Sequence, residues 1–155
     1  MSESIFHVVL YQPEIPDNTG AVGRTCVAVG AKLWLIKPLG FQIDNRRIKR
    51  AGMDYWHYLD LEIVDDWESL TKRLAEKRFW FLTKKTETLY TAPFFEKGDV
   101  FVFGCESLGL PRRIIEENCT KLLKIPMCEK ARSLNLSVSV AITLYEANRQ
   151  ITHVS

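Results

Sequence analysis

At 155 residues, with 46% hydrophobic and 26% charged residues, the chain has the size and composition of one globular domain. That excludes disorder, collagen-like repeats and a fold that depends on disulfide staples. A net charge of +2 and a pI near 8.3 fall short of the pI above ~9 of a strongly basic nucleic-acid binder. The longest apolar runs, such as Leu33-Trp34-Leu35-Ile36, are far below the roughly 18 residues of a membrane span.

Taken in chain order, short apolar or β-branched runs alternate with helical patterns. Strands are predicted at Ile5–Tyr11, Lys32–Lys37, Arg78–Thr83, Val100–Phe103 and Leu122–Ile125. Several are continuously apolar, which suits parallel strands covered on both faces. Helices are predicted over 18–30, opened by Asp17-Asn18 and stopped by Gly30, and over 67–77, with Trp67, Leu70 and Leu74 on one face. A third runs over 111–118 with Pro111 at its first position, and a last one over 136–150 carries Val140, Leu144 and Ala147 along one stripe. The alternation predicts an open, mostly parallel α/β sheet with helices on both faces, its ligands at the carboxyl ends of the strands. No repeat or linker divides the chain, so a single domain over 1–155 is expected. Met1-Ser2-Glu3-Ser4 has neither the basic region nor the apolar core of a signal peptide, and a cytoplasmic protein is expected. The four cysteines form no C-x-x-C pair and the three histidines are scattered, so no metal site is expected.

Three loops stand out. The first, Pro13-Glu14-Ile15-Pro16-Asp17-Asn18-Thr19-Gly20, leaves the first strand and is followed by Arg24, one helical turn beyond Gly20. A capped helix with a surface arginine is its plain alternative. The second, Phe103-Gly104-Cys105-Glu106-Ser107-Leu108-Gly109-Leu110-Pro111, lacks the glycine spacing of a phosphate loop, and its two glycines around one acid suit a tight turn against something flat. Alternatively, Glu106 holds backbone N–H groups near a helix start. The third runs from Ile125-Pro126-Met127 to Ser133-Leu134-Asn135-Leu136-Ser137, where Asn135 or Ser137 caps the last helix. It is longer than most connections, as functional loops often are. In a parallel sheet all three lie at one edge and make a pocket lined with backbone groups, which suits an adenine ring.

In this order and spacing, Asn18-Thr19-Gly20-x-x-x-Arg24, then Phe103-Gly104-x-Glu106-x-x-Gly109-Leu110-Pro111, then Ile125-Pro126-Met127 with Ser133-Leu134-Asn135-Leu136-Ser137 resemble the three motifs of the SPOUT class of RNA methyltransferases. The opening Val9–Pro16 and the stretch from Pro38-Leu39-Gly40-Phe41 to Arg50-Ala51-Gly52-Met53-Asp54-Tyr55 resemble its small, extension-free members, which methylate the ribose 2′-hydroxyl of the tRNA wobble nucleotide, a cytidine or modified uridine at position 34. The resemblance extends to about Gln150.

The resemblance implies a C-terminal trefoil knot, against the general avoidance of knots. It implies S-adenosylmethionine bound bent in that knot, S-adenosylhomocysteine as product, a homodimer whose two subunits complete each site, and the tRNA anticodon stem-loop as partner. By the same analogy the cofactor contacts fall on Leu82, Gly104, Ile125 and Ser133, with Asn18, Glu106 and Asn135 in support. Arg24 matches the catalytic arginine. Arginine stays protonated, so its expected role is to clamp a phosphate beside the target ribose and to stabilise charge growing on the oxygen, not to accept a proton. For RNA, Arg46, Arg47, Lys49 and Arg50 supply four cations on a short helix, against a solvated basic face as the alternative. Tyr55, Trp56 and Tyr58 either stack on loop bases or pack in a core or dimer contact. Tyr145 aligns with a family position linked to dimer contact and RNA binding.

Leu108 stands where relatives commonly carry arginine, and Val138-Ser139 where they read Asn-Ala. These departures bear on contacts to RNA, to the cofactor tail or across the interface. A ribose methyltransferase with another tRNA or rRNA target, or an inactive RNA-binding relative, is the competing reading.

Overall fold

The computed structural model describes residues 4–44 and 46–153, with only the backbone of Lys49, Gly52, Met53 and His153. Six strands are present: β1 His7–Tyr11, β2 Lys32–Ile36, β3 Leu61–Val64, β4 Phe79–Leu82, β5 Val100–Phe103 and β6 Leu122–Leu123. They form one sheet in the order β3-β2-β1-β5-β4-β6, every pairing parallel. The helices are α1 Pro16–Val29, α2 Arg46–Gly52, α3 Trp67–Arg73, α4 Arg112–Glu117 and α5 Leu136–His153, with a 3₁₀ segment at Met53–Tyr58.

The period-two rule of a strand divides the core in two. Val8 and Leu10 of β1 pack with Leu33, Leu35, Phe101 and Phe103 beneath α1 (Val22, Cys26, Val29) and α5 (Val140, Leu144, Ala147). Val9 points the other way, joining Trp34, Ile36, Phe81, Val100 and Val102 against Leu70 of α3 and Ile114 and Ile115 of α4. All four β5 residues are buried, as expected of a strand covered on both faces. The predicted α/β architecture is therefore the observed one.

Two expectations are corrected. Leu61–Val64 is a strand that the sequence reading did not contain, so Leu82 ends the fourth strand and not the third. Its polar member Glu62 bonds Lys32 of β2 and Arg73 of α3, which breaks the apolar run that marks the other strands. In addition, α1 opens at Pro16 rather than after Asp17-Asn18. Its N-cap Ile15 makes no side-chain cap bond, and Asn18 is buried with its amide used elsewhere. Proline at the first helical position supplies a fixed φ and has no N–H to leave orphaned.

The chain lays down β1, β2 and β3 outward in one direction, then fills the other side with β5 next to β1 and β4 beyond it. The order thus reverses between β1 and β5, and in open α/β sheets the carboxyl-edge crevice at such a reversal is where ligands bind.

Candidate active site

At that edge the loops after β1, β4, β5 and β6 enclose a cleft of about 560 Å³. Ile15 and Asn18 come from the first loop, Leu82 to Lys85 from the exit of β4, Phe103 to Leu110 from the second loop, and Ile125, Met127 and 132–136 from the third. The volume lies within the usual range for a small-molecule site, roughly 300–1,000 Å³.

A chain of side-chain bonds holds the loops together. Glu106 accepts from the backbone N–H groups of Glu14 (2.9 Å) and Ile15 (3.0 Å) and from the Asn18 amide (3.1 Å). Its carboxylate therefore sits at the entrance of α1, where the helix dipole favours negative charge. The alternative expected for Glu106 holds in a different form: the N–H groups are those of Glu14 and Ile15, just before α1, and not of the helix that follows its own loop. The Asn18 carbonyl accepts from the Asn135 amide (3.0 Å), and the Asn135 carbonyl accepts from the backbone N–H (2.8 Å) and hydroxyl (2.6 Å) of Ser137 at the start of α5. A second clasp runs the opposite way: Glu14 accepts from the Ser107 N–H and hydroxyl, each at 2.8 Å. Those bonds hold the Glu14 carboxyl below the ordinary glutamate range.

Gly104 has a structural reason of its own. A Cβ there would stand 2.1 Å from the Gly109 carbonyl carbon and 2.2 Å from the Leu110 nitrogen. Cys105 and Gly109 are paired across the loop and Gly109 has φ +69°, so the turn closes as a pinch that tolerates no side chain at 104. The pinch presses the loop backbone toward the cleft.

The expected cofactor residues Leu82, Gly104, Ile125 and Ser133 line this one cleft, as do Asn18, Glu106 and Asn135. Arg24 does not. It is exposed on α1, its guanidinium 5.0 Å from the centre of the Tyr55 ring. Arg46, Arg47 and Arg50 are exposed on α2, which packs against α1, and Arg47 pairs with Asp17 at 2.9 Å. The side chain of Lys49 lies outside the described residues. Tyr145 is 50% exposed on α5. Tyr55 and Tyr58 are likewise exposed, whereas Trp56 is half-buried against Gly23. The residues expected to act on one nucleotide are thus divided between a cleft and a basic face of the same subunit.

The sequence reading missed the clasp partners Glu14 and Ser107 and the cleft cations Lys84, Lys85 and Arg132. Lys84-Lys85 follows the end of β4 with only Thr83 between, a signal that the rule of ligands at carboxyl ends would have caught. Glu14 carried no such signal, because its partner is 93 residues away.

A family model described as the SpoU rRNA Methylase family matches residues 5–145. The chain belongs to the SpoU methylase family. A relative from Methylovorus glucosotrophus, named tRNA (cytidine(34)-2'-O)-methyltransferase, is 45% identical over 147 residues, covering 94% of this chain and 96% of the relative. A solved structure described as giving structural insights into the 2-OH methylation of C/U34 on tRNA matches with a TM-score of 0.92 at 43% identity, over 96% of this chain and 97% of that one. An AdoMet-bound rRNA methyltransferase from Sinorhizobium meliloti matches with a TM-score of 0.86 at 25% identity, over 97% of this chain and 58% of that one. Among the described residues there is no helix long and apolar enough to cross a membrane and no grouping of His, Cys, Asp or Glu able to hold a metal ion.

Proposed function

We propose that this SpoU methylase transfers a methyl group from S-adenosylmethionine to the ribose 2′-hydroxyl of nucleotide 34 of tRNA. The observation that carries the reading is its near-full-length likeness, at 45% identity, to a relative named for that reaction. The convergence of all three motif loops on one cleft agrees with it. The cleft also fits the cofactor chemically. Leu82, Phe103, Leu110, Ile125 and Leu134 offer apolar walls for a heterocycle, while Ser133, Asn135, Ser139 and the pinched loop backbone offer hydrogen-bonding groups. Leu82, Gly104, Ile125 and Ser133 are the proposed cofactor contacts, with Asn18, Glu106 and Asn135 fixing the loops that carry them.

When bound, S-adenosylmethionine supplies an electrophilic sulfonium methyl. The protein must hold the ribose oxygen in line with it, within about 3–3.5 Å. Arg24 is proposed to clamp a phosphate beside that ribose through its planar fork and to stabilise negative charge on the 2′-oxygen, the proton leaving to phosphate or water. Arg24 lies outside the cleft of its own subunit, which favours a homodimer in which a second copy brings its Arg24 to this cleft. The exposed Val138 and Tyr145 on the outer face of α5 provide apolar area for such a contact. Arg46, Arg47, Lys49 and Arg50 are proposed to meet anticodon-loop phosphates, and Tyr145 to serve both the dimer contact and the RNA. The trefoil knot is part of the same reading. It is favoured by Leu89 pairing alongside Lys124 and by the Lys84 ammonium donating to the Arg132 carbonyl, which bring segments 83–99 and 124–135 together. A protein acting on tRNA would work in the cytoplasm.

The test is methyl transfer from labelled S-adenosylmethionine to tRNA from cells lacking this protein, with the product mapped by mass spectrometry. A ribose methyl on nucleotide 34 is the expected outcome; label at another nucleotide would overturn the substrate assignment. Arg24→Lys retains charge but not the bidentate fork, so full turnover in that variant would sink the clamp.

A further inference from the structure

The mouth of the cleft carries charge that neither the motifs nor the loop clasps use. Lys84, Lys85 and Arg132 all line it and all are exposed. Glu106 is the one acid among the lining residues, and three donors already engage its two oxygens. Among the described residues, none of the three cations has a carboxylate within ion-pairing distance. The Lys84 ammonium donates to the Arg132 carbonyl, fastening the exit of β4 to the third loop across 48 residues. An ammonium has three donors, so two remain on Lys84, and the guanidinium of Arg132 offers five in a planar fork.

Like charges gathered without counter-charges repel one another, and an arriving oxyanion relieves that repulsion while taking their hydrogen bonds. We propose that Lys84, Lys85 and Arg132 form an oxyanion seat at the cleft mouth that holds a phosphate of the substrate RNA next to the nucleotide being methylated. The inference rests on the RNA-methylating reading above and extends it. None of the described cations of α2 lines the cleft, so the seat is separate from the basic face. Each bound RNA would then be held from two sides: by the seat of the subunit whose cleft is used, and by the basic face that carries Arg24. The three side chains are exposed where they line the cleft, open to a ligand arriving from solvent. The carboxylate of the cofactor is the other oxyanion available, and the experiment separates the two.

The double variant Lys85→Ala/Arg132→Ala leaves Lys84 and its strap in place. Its affinity for S-adenosylhomocysteine is measured by calorimetry. Binding of an anticodon stem-loop RNA is measured across a salt series, beside the charge-keeping Lys85→Arg/Arg132→Lys. The expected result is a loss of RNA affinity on the order of tenfold, with product affinity within about twofold of the parent. The log–log salt slope should also be shallower by about one to two, the mark of lost phosphate contacts. The charge-keeping pair should recover most of the loss. Weakened product binding with unchanged RNA binding would overturn the proposal in favour of the cofactor carboxylate, and no change in either would overturn it outright. Because RNA binding is read directly, a parent protein that binds the stem-loop but methylates elsewhere would defeat the wobble assignment without touching this test.

Discussion

The aromatic face of the core and the cleft loops are built on different principles, although both belong to the same strands. Under α5, Phe6, Phe95, Phe101 and Trp80 meet edge to face, with ring centres 5.1–5.7 Å apart. Each buries area against many neighbours, so the loss of one leaves the others in place. Across the cleft, segments about 90 to 117 residues apart are joined by a handful of hydrogen bonds that Glu14, Glu106, Asn18 and Asn135 make. Most of these bonds are exposed, and the link from Asn18 to Asn135 is a single one. The comparison separates stability from function: apolar packing keeps the protein folded, and a few polar bonds give the binding site its shape.

The sharpest way to break the comparison is from the core side. Phe101→Ala removes a fully buried ring and should cost about 3–5 kcal/mol of unfolding free energy in denaturant titration. The fraction that remains folded should bind S-adenosylhomocysteine with unchanged affinity. If affinity fell with stability, the two regions would not be separable.

Next in size, and on the cleft side, is Gly104→Ala. A methyl group 2.1 Å from backbone cannot be absorbed by a rotamer change, so the pinch must open. Displacement of a binding loop by an ångström is worth about 10²-fold, and turnover should fall by that factor while the melting temperature moves by only a few degrees. A smaller effect is expected of Glu106→Ala, which strands the N–H groups of Glu14 and Ile15. These bonds are exposed, so a loss of about 1 kcal/mol should appear in thermal melts together with weaker product binding.

The smallest effect is in pH, where the two regions respond with opposite sign. The Ser107 hydrogen bonds depress the Glu14 carboxyl, so the clasp stabilises above the ordinary glutamate value of ~4.3 and is lost as pH falls through the lower folded value. Asp99 sits in the aromatic face, accepting from Trp80 Nε1 at 3.0 Å, and burial raises its carboxyl above the usual aspartate range. Its ionised form costs stability above that raised value, and the cost is relieved as pH falls toward the unfolded value. Acid should therefore loosen product binding before the core, and Glu14→Gln should flatten the acid limb of binding while removing only a small part of the acid limb of unfolding. Parallel loss of both in the parent protein would remove the distinction.

Much of the fold was legible because parallel strands announce themselves. Runs such as Val8-Val9-Leu10 and Val100-Phe101-Val102-Phe103 have no polar face to expose, and each proved to be a central strand. The edge strand at Leu61–Val64 was not legible, since its short apolar run is broken by Glu62, one residue of four, which answers cations on two other elements. At the cleft, spacing alone brought Gly104, Glu106 and Asn135 to notice. It did not reveal that Glu106 closes the entrance to α1, or that Asn18 is a bridge between loops and not a helix cap.

The local sequence was enough to determine the alternation of strands and helices, the parallel sheet that follows from it, and the carboxyl edge as the place for a ligand. Those depend on hydrophobic period and on turn chemistry, which act within a few residues. Only the tertiary structure decided that β5 stands inside β4, that four loops enclose one cleft, and that Arg24 is not among the residues lining it. Such facts rest on hydrogen bonds and packing between residues far apart in the chain, and no local pattern records which distant partner a polar side chain will meet.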